Sequence, residues 1–238
     1  MKDKIVSWIK NQVKLSGAKG IVLGLSGGID SAVVAALCKK AVGKNKVLVL
    51  FMPCNSNPRD LKDAKLVAAK LKLNSKLIDL SGVYNTFLNI LPSAGSLALG
   101  NLKPRLRMCT LYYFANKLNY LVCGTGNKSE LMVGYFTKYG DGGVDILPIA
   151  DLFKCQVRQL AQELKIPRGV IIKPPTAGLW QGQTDEGEMG ITYKALDEIL
   201  DKFCGNKQVP NSEEFNKIKK MYKRSEHKRK GAEICHIN

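Results

Sequence analysis

The sequence predicts an α/β fold, in which a parallel sheet of five strands carries helices on both faces. Short apolar runs alternate along the chain with stretches whose apolar residues recur at helical spacing. This alternation is typical of parallel strands joined by crossover helices. A chain of 238 residues with 45% hydrophobic composition can bury one sizeable core, so we expect a single domain over residues 1–238.

The elements follow in order from the pattern. The first is an amphipathic helix, because Ile5, Trp8, Ile9 and Val13 repeat at helical spacing in a segment too charged for a signal peptide. Strands are expected at 20–25, 46–52, 76–80, 120–124 and 144–149. Helices are expected between them at 31–41, 58–71, 102–118 and 154–164. Ligands of such folds bind at the carboxyl ends of the strands.

Composition narrows the function classes. No run approaches the roughly 18–20 apolar residues that span a bilayer. Seven cysteines without a C-x-x-C pair favour reduced thiols in a cytoplasm over a disulfide framework or a zinc site. The net charge of +17, with a lysine- and arginine-rich segment at 217–238, fits either a solubility bias or a polyanionic partner such as RNA or a phosphorylated substrate.

A glycine-rich turn, GLSGGIDS at 24–31, follows the first strand. A strand, a turn and a helix in this order present free N–H groups and the helix dipole to an anion. The turn lacks the lysine of G-x-x-x-x-G-K-[ST] and the spacing of G-x-G-x-x-G, and it carries Asp30 instead. A carboxylate beside phosphates needs a cation between them. Asp30 is therefore predicted to bind Mg²⁺, while Ser26, Ser31 and the backbone cradle the phosphates.

The SGGIDS turn resembles the signature loop of the ATP-pyrophosphatase, or N-type, superfamily. The resemblance implies that the loop holds the β,γ-pyrophosphate of ATP, which is cleaved between the α and β phosphates. It assigns ATP binding to Gly24, Leu25, Ser26, Gly27, Gly28, Ile29, Asp30 and Ser31.

From residue 100 onward the chain resembles the NAD synthetases, which amidate nicotinic acid adenine dinucleotide (deamido-NAD). The matching blocks are GNLKPRLRM (100–108), GTGNKSE (124–130), GYFTKYGDGGVDILPIADLFKCQVRQLA (134–161), IPRGVIIKPPTAGLWQGQTDEGEMG (166–190) and SEHKRK (225–230). The resemblance implies a Rossmann-like fold of the adenine nucleotide alpha hydrolase type, with ATP, deamido-NAD and ammonia as substrates and Mg²⁺ as cofactor. It also implies a homodimer, for which Tyr112, Tyr113 and Phe114 are either interface or core residues.

The same resemblance assigns roles to further residues. Glu130 is the second Mg²⁺ ligand, and Thr125, Lys154 and Thr176 contact ATP, with Lys154 neutralising charge as pyrophosphate leaves. Deamido-NAD is assigned to Arg105, Lys138, Asp145, His227 and Lys228. Asp141 is either an ammonia-site acid or a turn residue. Of these residues, Lys138, Asp141 and Asp145 lie in substrate loop 134–145, Thr176 lies in substrate loop 174–190, and His227 and Lys228 lie in the basic C-terminal segment.

Two departures from the family pattern and two rival functions accompany this interpretation. Pro104 replaces the usual alanine before Arg105, and the segment 53–58 lacks the family's acid- and glutamine-rich character, so no adenine contact is assigned there.

Because the phosphate loop begins at residue 24, with no amidase domain before it, we expect ammonia rather than glutamine as the nitrogen source. The rivals are a tRNA-modifying thiolase or lysidine-type ligase, and a nucleotide-binding sensor without catalysis. Nucleic acid is the less favoured partner, since neither paired cysteines nor an added RNA-binding domain is visible.

Overall fold

The computed structural model describes residues 1–180, 182–205 and 212–237. Gln181 and Asn238, which belong to the predicted loop 174–190 and the basic segment 217–238, lie outside the described residues. In the described part of the chain, no helix combines the length and the apolarity that crossing a bilayer demands.

The predicted parallel sheet is present, and in the described residues it has four strands. The strands are β1 (Gly20–Gly24), β2 (Val47–Phe51), β3 (Asn74–Leu77) and β4 (Tyr120–Val122). They lie in the order β3-β2-β1-β4. All strand pairs are parallel, as the alternation of strands and helices predicts.

The prediction of a fifth strand at 144–149 is wrong. The segment does reach the edge of the sheet, but it makes only an isolated bridge between Cys123 and Ile146. Two successive amides, those of Asp145 and Ile146, donate to the same carbonyl of Val122 at 3.0 and 3.3 Å. The Asp145 side chain also accepts the Val122 N–H at 2.7 Å. The N–H and the carbonyl of Val122 are thus taken by a side chain and by two adjacent amides. In a regular parallel ladder, evenly spaced backbone groups of the neighbouring strand would bind them instead.

Helices connect and cover these strands. They are α1 (Lys2–Leu15), α2 (Ile29–Val42), α3 (Pro58–Leu71), α4 (Ser81–Ile90), α5 (Ser96–Leu118), α6 (Lys128–Val133), α7 (Lys154–Glu163), α8 (Arg168–Ile172), α9 (Asp185–Met189), α10 (Tyr193–Cys204), α11 (Glu213–Arg224) and α12 (Glu226–Arg229). The predicted helix at 102–118 begins earlier, at Ser96, and contains Pro104 in its interior.

The sheet separates two apolar cores, because successive side chains of a strand point to opposite faces. Ile21 and Leu23 pack on one face with residues of α1, α2, α3 and α7. Val22 packs on the other face with residues of α4 and α5. Helices therefore cover both faces, as predicted. A third cluster joins α6, α10 and α11 beside the sheet.

The strand order places the functional loops. From β1 the chain moves outward to β2 and β3, and it then returns to place β4 on the other side of β1. The loops that leave β1 and β4 consequently diverge at a switch point, where open parallel sheets bind their ligands. The loop after β1 contains Ser26–Gly28, and the loop after β4 contains Thr125 and Asn127.

Candidate active site

A cavity of about 690 Å³ opens at the carboxyl ends of β1 and β4, a volume typical of small-molecule sites. Its lining includes most of the predicted site residues: Gly24, Leu25, Ser26, Gly28, Ile29, Asp30, Ser31, Thr125, Glu130, Asp141, Lys154, Thr176, His227 and Lys228. The fold therefore brings residues from both ends of the sequence to one space.

The glycine-rich turn is held in shape by its two serines. The hydroxyls of Ser26 and Ser31 lie 3.1 Å apart, and the Ser26 hydroxyl accepts the N–H of Gly28 at 3.2 Å. Gly27 has a φ of +84°, and a Cβ at this position would lie 2.3 Å from the carbonyl oxygen of Asp60, so only glycine fits. No side chain caps the start of α2. Its first N–H groups are consequently free to face an anion.

A buried ammonium group forms the electrostatic centre of the cavity. Lys154 is 1% exposed, and its Nζ lies 2.6 Å from Asp30 Oδ2 and 3.1 Å from Glu130 Oε1. Burial lowers the pKa of Lys154, but the two carboxylates outweigh burial and hold its pKa above the usual value. Burial raises the pKa of Glu130, and Lys154 opposes that shift. Three residues far apart in sequence thus form one ion-paired group, in which two carboxylates share a single ammonium.

Asn127 links the two acidic residues and is fully buried. Its side chain accepts the N–H of Glu130 at 3.0 Å, and the Glu130 carboxylate accepts the N–H of Asn127 at 3.2 Å. Its amide nitrogen donates to Asp30 Oδ1 at 3.0 Å. The first two contacts form a capping box at the start of α6. Sequence reasoning missed Asn127, although its position three residues before Glu130 is the signal of such a box.

Tyr193 closes the site from α10, and it was also missed. Its hydroxyl lies 3.2 Å from Glu130 Oε1 and 3.0 Å from Asp185 Oδ2, and its ring centre lies 4.7 Å from Lys154 Nζ. Asp185 is 4% exposed, and burial raises its pKa. Among the described residues, its Oδ1 is the one buried side-chain nitrogen or oxygen without a hydrogen-bond partner. No sequence motif marks Tyr193, whereas Asp185 lies within the block 166–190 but was assigned no role.

The donor set is compatible with Mg²⁺. Asp30 and Glu130 place two carboxylate oxygens around a single positive charge. Mg²⁺ is commonly held by one or two carboxylates, with phosphate and water oxygens completing its octahedron. Over the described ranges no group of three or more His, Cys, Asp or Glu residues is arranged to hold a metal alone. The two acids therefore suit a metal that arrives with a nucleotide.

The lid segment, defined here as residues 173–180 and 182–184, contributes residues 173–180 and Gln183 to the lining of the cavity. Lys173 forms ion pairs at 2.7 Å with two carboxylates of α3. The Thr176 hydroxyl donates to the carbonyl of Gln183 at 2.7 Å, which shapes the turn. Lys103 on α5 donates to the carbonyl of Leu179 at 2.8 Å. The segment is thus attached to helices on both sides of the cavity.

Asp141, His227 and Lys228, which were predicted to bind ammonia or deamido-NAD, line the cavity. Asp141 accepts the N–H of Thr137 at 2.9 Å, so it does serve as a turn residue, and it also faces the cavity. Burial raises the pKa of the Asp141 carboxyl, because it disfavours the charged form. Lys228 donates to the carbonyls of Gly134 and Phe136 at 2.8 and 2.7 Å. These bonds fix the segment of His227 and Lys228 against loop 134–145.

The other three predicted deamido-NAD residues lie outside the cavity lining. Arg105 is exposed, and its Nη2 lies 3.5 Å from the carbonyl oxygen of Lys138. Lys138 donates to the carbonyl of His227. The carboxylate of Asp145 binds the Tyr112 hydroxyl at 2.9 Å and the β4 backbone. Their roles toward a substrate remain predictions.

The sequence as a whole matches the family model of NAD synthase over residues 1–232. The chain belongs to the NAD synthase family. An NH3-dependent NAD+ synthetase of Carboxydothermus hydrogenoformans is 48% identical over 98% of this chain and 95% of the relative. Recognition of the family from the five sequence blocks is confirmed.

Two solved NAD synthase relatives are similar over nearly the full chain. The NMN synthetase of Francisella tularensis is 39% identical, with a TM-score of 0.91 over 99% of this chain and 97% of that one. An NH3-dependent NAD synthetase of Campylobacter jejuni, solved with a nitrate ion, is 34% identical, with a TM-score of 0.84 over the same shares of the chains.

Proposed function

We propose that this chain is an ammonia-dependent NAD synthetase. It would convert deamido-NAD, ATP and ammonia into NAD, AMP and pyrophosphate. The observation that carries the proposal is the meeting of the glycine-rich turn with Lys154, Asp30 and Glu130 in one cavity. The curated relatives at nearly full coverage support the same reaction. They favour it over both a tRNA-modifying enzyme and a nucleotide sensor.

In the first step the nicotinate carboxylate attacks the α-phosphorus of ATP. A mixed anhydride with AMP forms, and the bond to pyrophosphate breaks. The free N–H groups at the start of α2 and the hydroxyls of Ser26 and Ser31 hold the β and γ phosphates. Lys154 stabilises negative charge on the departing pyrophosphate. Mg²⁺ held by Asp30 and Glu130 would supply further charge neutralisation when bound.

In the second step ammonia attacks the activated carbonyl carbon. AMP leaves with the bonding electrons, and one proton of the nitrogen is lost as the amide forms. Asp141 faces the cavity with a raised pKa, and it is our candidate for binding ammonium and accepting its proton before the attack, whereas the proton lost as the amide forms passes to the departing phosphate of AMP or to water. No enzyme nucleophile is required, because the adenylate already provides a good leaving group.

The lid segment protects the adenylate from water in this scheme. Thr176 lies on the lid, faces the cavity and is our candidate for a nucleotide contact. Thr125, after β4, is the second candidate on the opposite wall. Exclusion of water matters because hydrolysis of the anhydride would consume ATP without forming NAD.

The deamido-NAD site is completed by a second copy of the chain in our proposal. Arg105 lies on α5 at an exposed position, and Tyr113 on the same helix is 61% exposed. The α4–α5 region also exposes several apolar side chains: Val83, Leu88, Ile90, Leu91 and Leu97. Several exposed apolar side chains in one region of a chain favour an interface there. Light scattering should report a dimer, and Tyr113→Lys should shift it toward monomer.

A second candidate substrate is suggested by the likeness to an NMN synthetase. The chemistry would be the same amidation, carried out on nicotinic acid mononucleotide, which lacks the adenylyl half of deamido-NAD. The two substrates differ only in what lies beyond the shared nicotinate mononucleotide, so the amidation machinery described above serves either.

One assay tests both candidates. Pure protein is incubated with ATP, Mg²⁺, either deamido-NAD or nicotinic acid mononucleotide, and either ammonium or glutamine. NAD formed from ammonium, in equal amount to AMP and pyrophosphate, supports the proposal. A greater kcat/KM with nicotinic acid mononucleotide than with deamido-NAD would show that the protein is an NMN synthetase instead. Absence of ATP cleavage with both substrates would refute the amidating function.

A further inference from the structure

The buried carboxylate of Asp197 joins the two helices that carry the catalytic charges. Asp197 lies on α10 and is 5% exposed. Its Oδ1 accepts the hydroxyl of Ser129 on α6 at 2.5 Å, and its Oδ2 accepts the N–H of Cys155 on α7 at 2.9 Å. Ser129 is adjacent to Glu130, and Cys155 is adjacent to Lys154. A single side chain therefore bonds to the immediate neighbours of both charged residues.

The start of α7 depends on this arrangement, because its N-cap residue, Phe153, has no side-chain acceptor. Within the helix, the Gln156 side chain accepts only the N–H of Phe153, at 2.8 Å. The first helical N–H, that of Lys154, donates to Ser129 Oγ at 3.0 Å. The second, that of Cys155, donates to Asp197. Other helices thus supply acceptors for the first two N–H groups of α7, which its N-cap residue cannot accept.

The charge of Asp197 suits this position. A carboxylate at a helix N-terminus is stabilised by the helix dipole, and its hydrogen bonds to N–H and O–H groups are stronger than neutral ones. Ser129 is fully buried. If the Asp197 carboxylate is removed, water therefore cannot take its place as acceptor of the Ser129 hydroxyl. Hydrogen bonding also gives Ser129 a defined orientation, with its hydrogen directed to Asp197 and its oxygen to Lys154 N–H.

We propose that Asp197 is a positioning residue for the reaction: it fixes α7 against α6 and thereby holds Lys154 at the nucleotide. This inference rests on the proposed role of Lys154 toward ATP. The contacts of Lys154 with Asp30 and Glu130 span 2.6 and 3.1 Å. A shift of α7 by about 1 Å would take Lys154 out of line with the phosphates, and misplacement of that size is costly to turnover.

The test compares two neighbouring carboxylates of α10. Asp197→Asn keeps the shape of the side chain and removes its charge, whereas Glu198→Gln makes the same change at an exposed position. Equilibrium dialysis measures the Kd for ATP with Mg²⁺, and pyrophosphate release measures kcat. Asp197→Asn should raise Kd and lower kcat by about tenfold each, the effect of one lost charge-assisted bond. Glu198→Gln should leave both unchanged.

A double-mutant cycle separates positioning from a general loss of structure. If Asp197 acts through Lys154, Asp197→Asn should change the Kd for ATP less than about twofold in a Lys154→Met background. An equal effect in both backgrounds, or no effect in the parent, would overturn the proposal. Because partial unfolding lowers the active fraction without changing Kd, the Kd distinguishes the two explanations.

Two further measurements keep the test decisive. If Asp197→Asn does not fold by circular dichroism, the cycle is run with Ser129→Ala, which removes the link but retains the bond from Cys155 to Asp197; the same dependence on Lys154 is expected. The parent protein is assayed for NAD in parallel. Absence of NAD with intact coupling in ATP binding would refute the proposed function alone, whereas NAD synthesis without coupling would refute only the positioning role.

Discussion

Replacement of Tyr193 by phenylalanine tests whether the acidic cluster needs a hydroxyl donor. Tyr193 is 1% exposed, and its hydroxyl lies within hydrogen-bond distance of Asp185 Oδ2 and Glu130 Oε1. Phenylalanine preserves the ring that packs near Lys154. The substitution therefore removes one donor from a pair of buried carboxylates and changes little else.

The expected loss of stability can be worked out from the contacts. Asp185 already has one oxygen without a partner, so loss of the hydroxyl removes its contact with Tyr193 as well. Leaving a buried acceptor unsatisfied costs about 1–3 kcal/mol, and more for a charged group. For a protein of this size each kcal/mol lowers Tm by about 2–4 °C, so Tyr193→Phe should lower Tm by about 2–12 °C.

The pH dependence has a definite sign. Burial raises the pKa of Asp185 and of Glu130 in the folded protein. Loss of the hydroxyl further disfavours their ionised forms, so it raises both folded-state pKa values again. The deficit of the variant is therefore fully present above those pKa values. Because the unfolded state is the same in both proteins, the deficit shrinks as the pH falls through the folded-state pKa values of the variant, and it is lost below those of the parent.

Differential scanning fluorimetry across pH, without added divalent cation, measures these effects. Tyr139→Phe is the matched control, because Tyr139 is 57% exposed and lies outside the proposed dimer interface, and it should leave Tm unchanged at every pH. A Tyr193→Phe protein as stable as the parent at neutral pH would refute the reasoning. So would a deficit that grows on acidification.

Three other changes follow from the cavity. Asp30→Ala or Glu130→Ala should leave the fold intact but nearly abolish pyrophosphate release, and near-normal turnover in either variant would exclude the metal assignment. Gly27→Ala should greatly weaken ATP binding in a filter-binding assay, because its Cβ would lie 2.3 Å from a backbone carbonyl, whereas Gly82→Ala, in open space, should bind normally. Lys173→Met should speed hydrogen exchange in the lid segment by removing its two ion pairs with α3; unchanged exchange would show that those pairs do not hold the lid.

Much of the fold and part of the site were predictable from sequence because their signals are local. The alternation of strands and helices depends on the spacing of apolar residues, and the glycine-rich turn depends on neighbours within eight positions. Gly27 illustrates this, since its positive φ follows from the turn itself. Asp30 was predicted from the turn itself, whereas Glu130 and Lys154 were assigned through family resemblance, and the structure places a carboxylate oxygen of each acid within 3.1 Å of Lys154 Nζ.

What sequence could not predict arises from contacts between distant segments. Tyr193 lies 63 positions from Glu130, and nothing near it in sequence indicates an acidic partner. The prediction of a fifth strand was wrong for a similar reason. The segment 144–149 has the composition of a strand, but the Asp145 carboxylate takes the amide of Val122 across the sheet edge. A pattern of apolar residues carries no information about which side chain will occupy a backbone group.

The residues that line the cavity come from both ends of the chain, from Gly24 to Lys228. The site can therefore form only late in the synthesis of the protein. A growing polypeptide whose segment beyond residue 220 is still inside the ribosomal exit tunnel lacks one wall of its site. Such a chain can contain the whole glycine-rich turn, but residues 221–228 cannot yet line the cavity beside it. The site described here is therefore assembled only after that segment has left the tunnel.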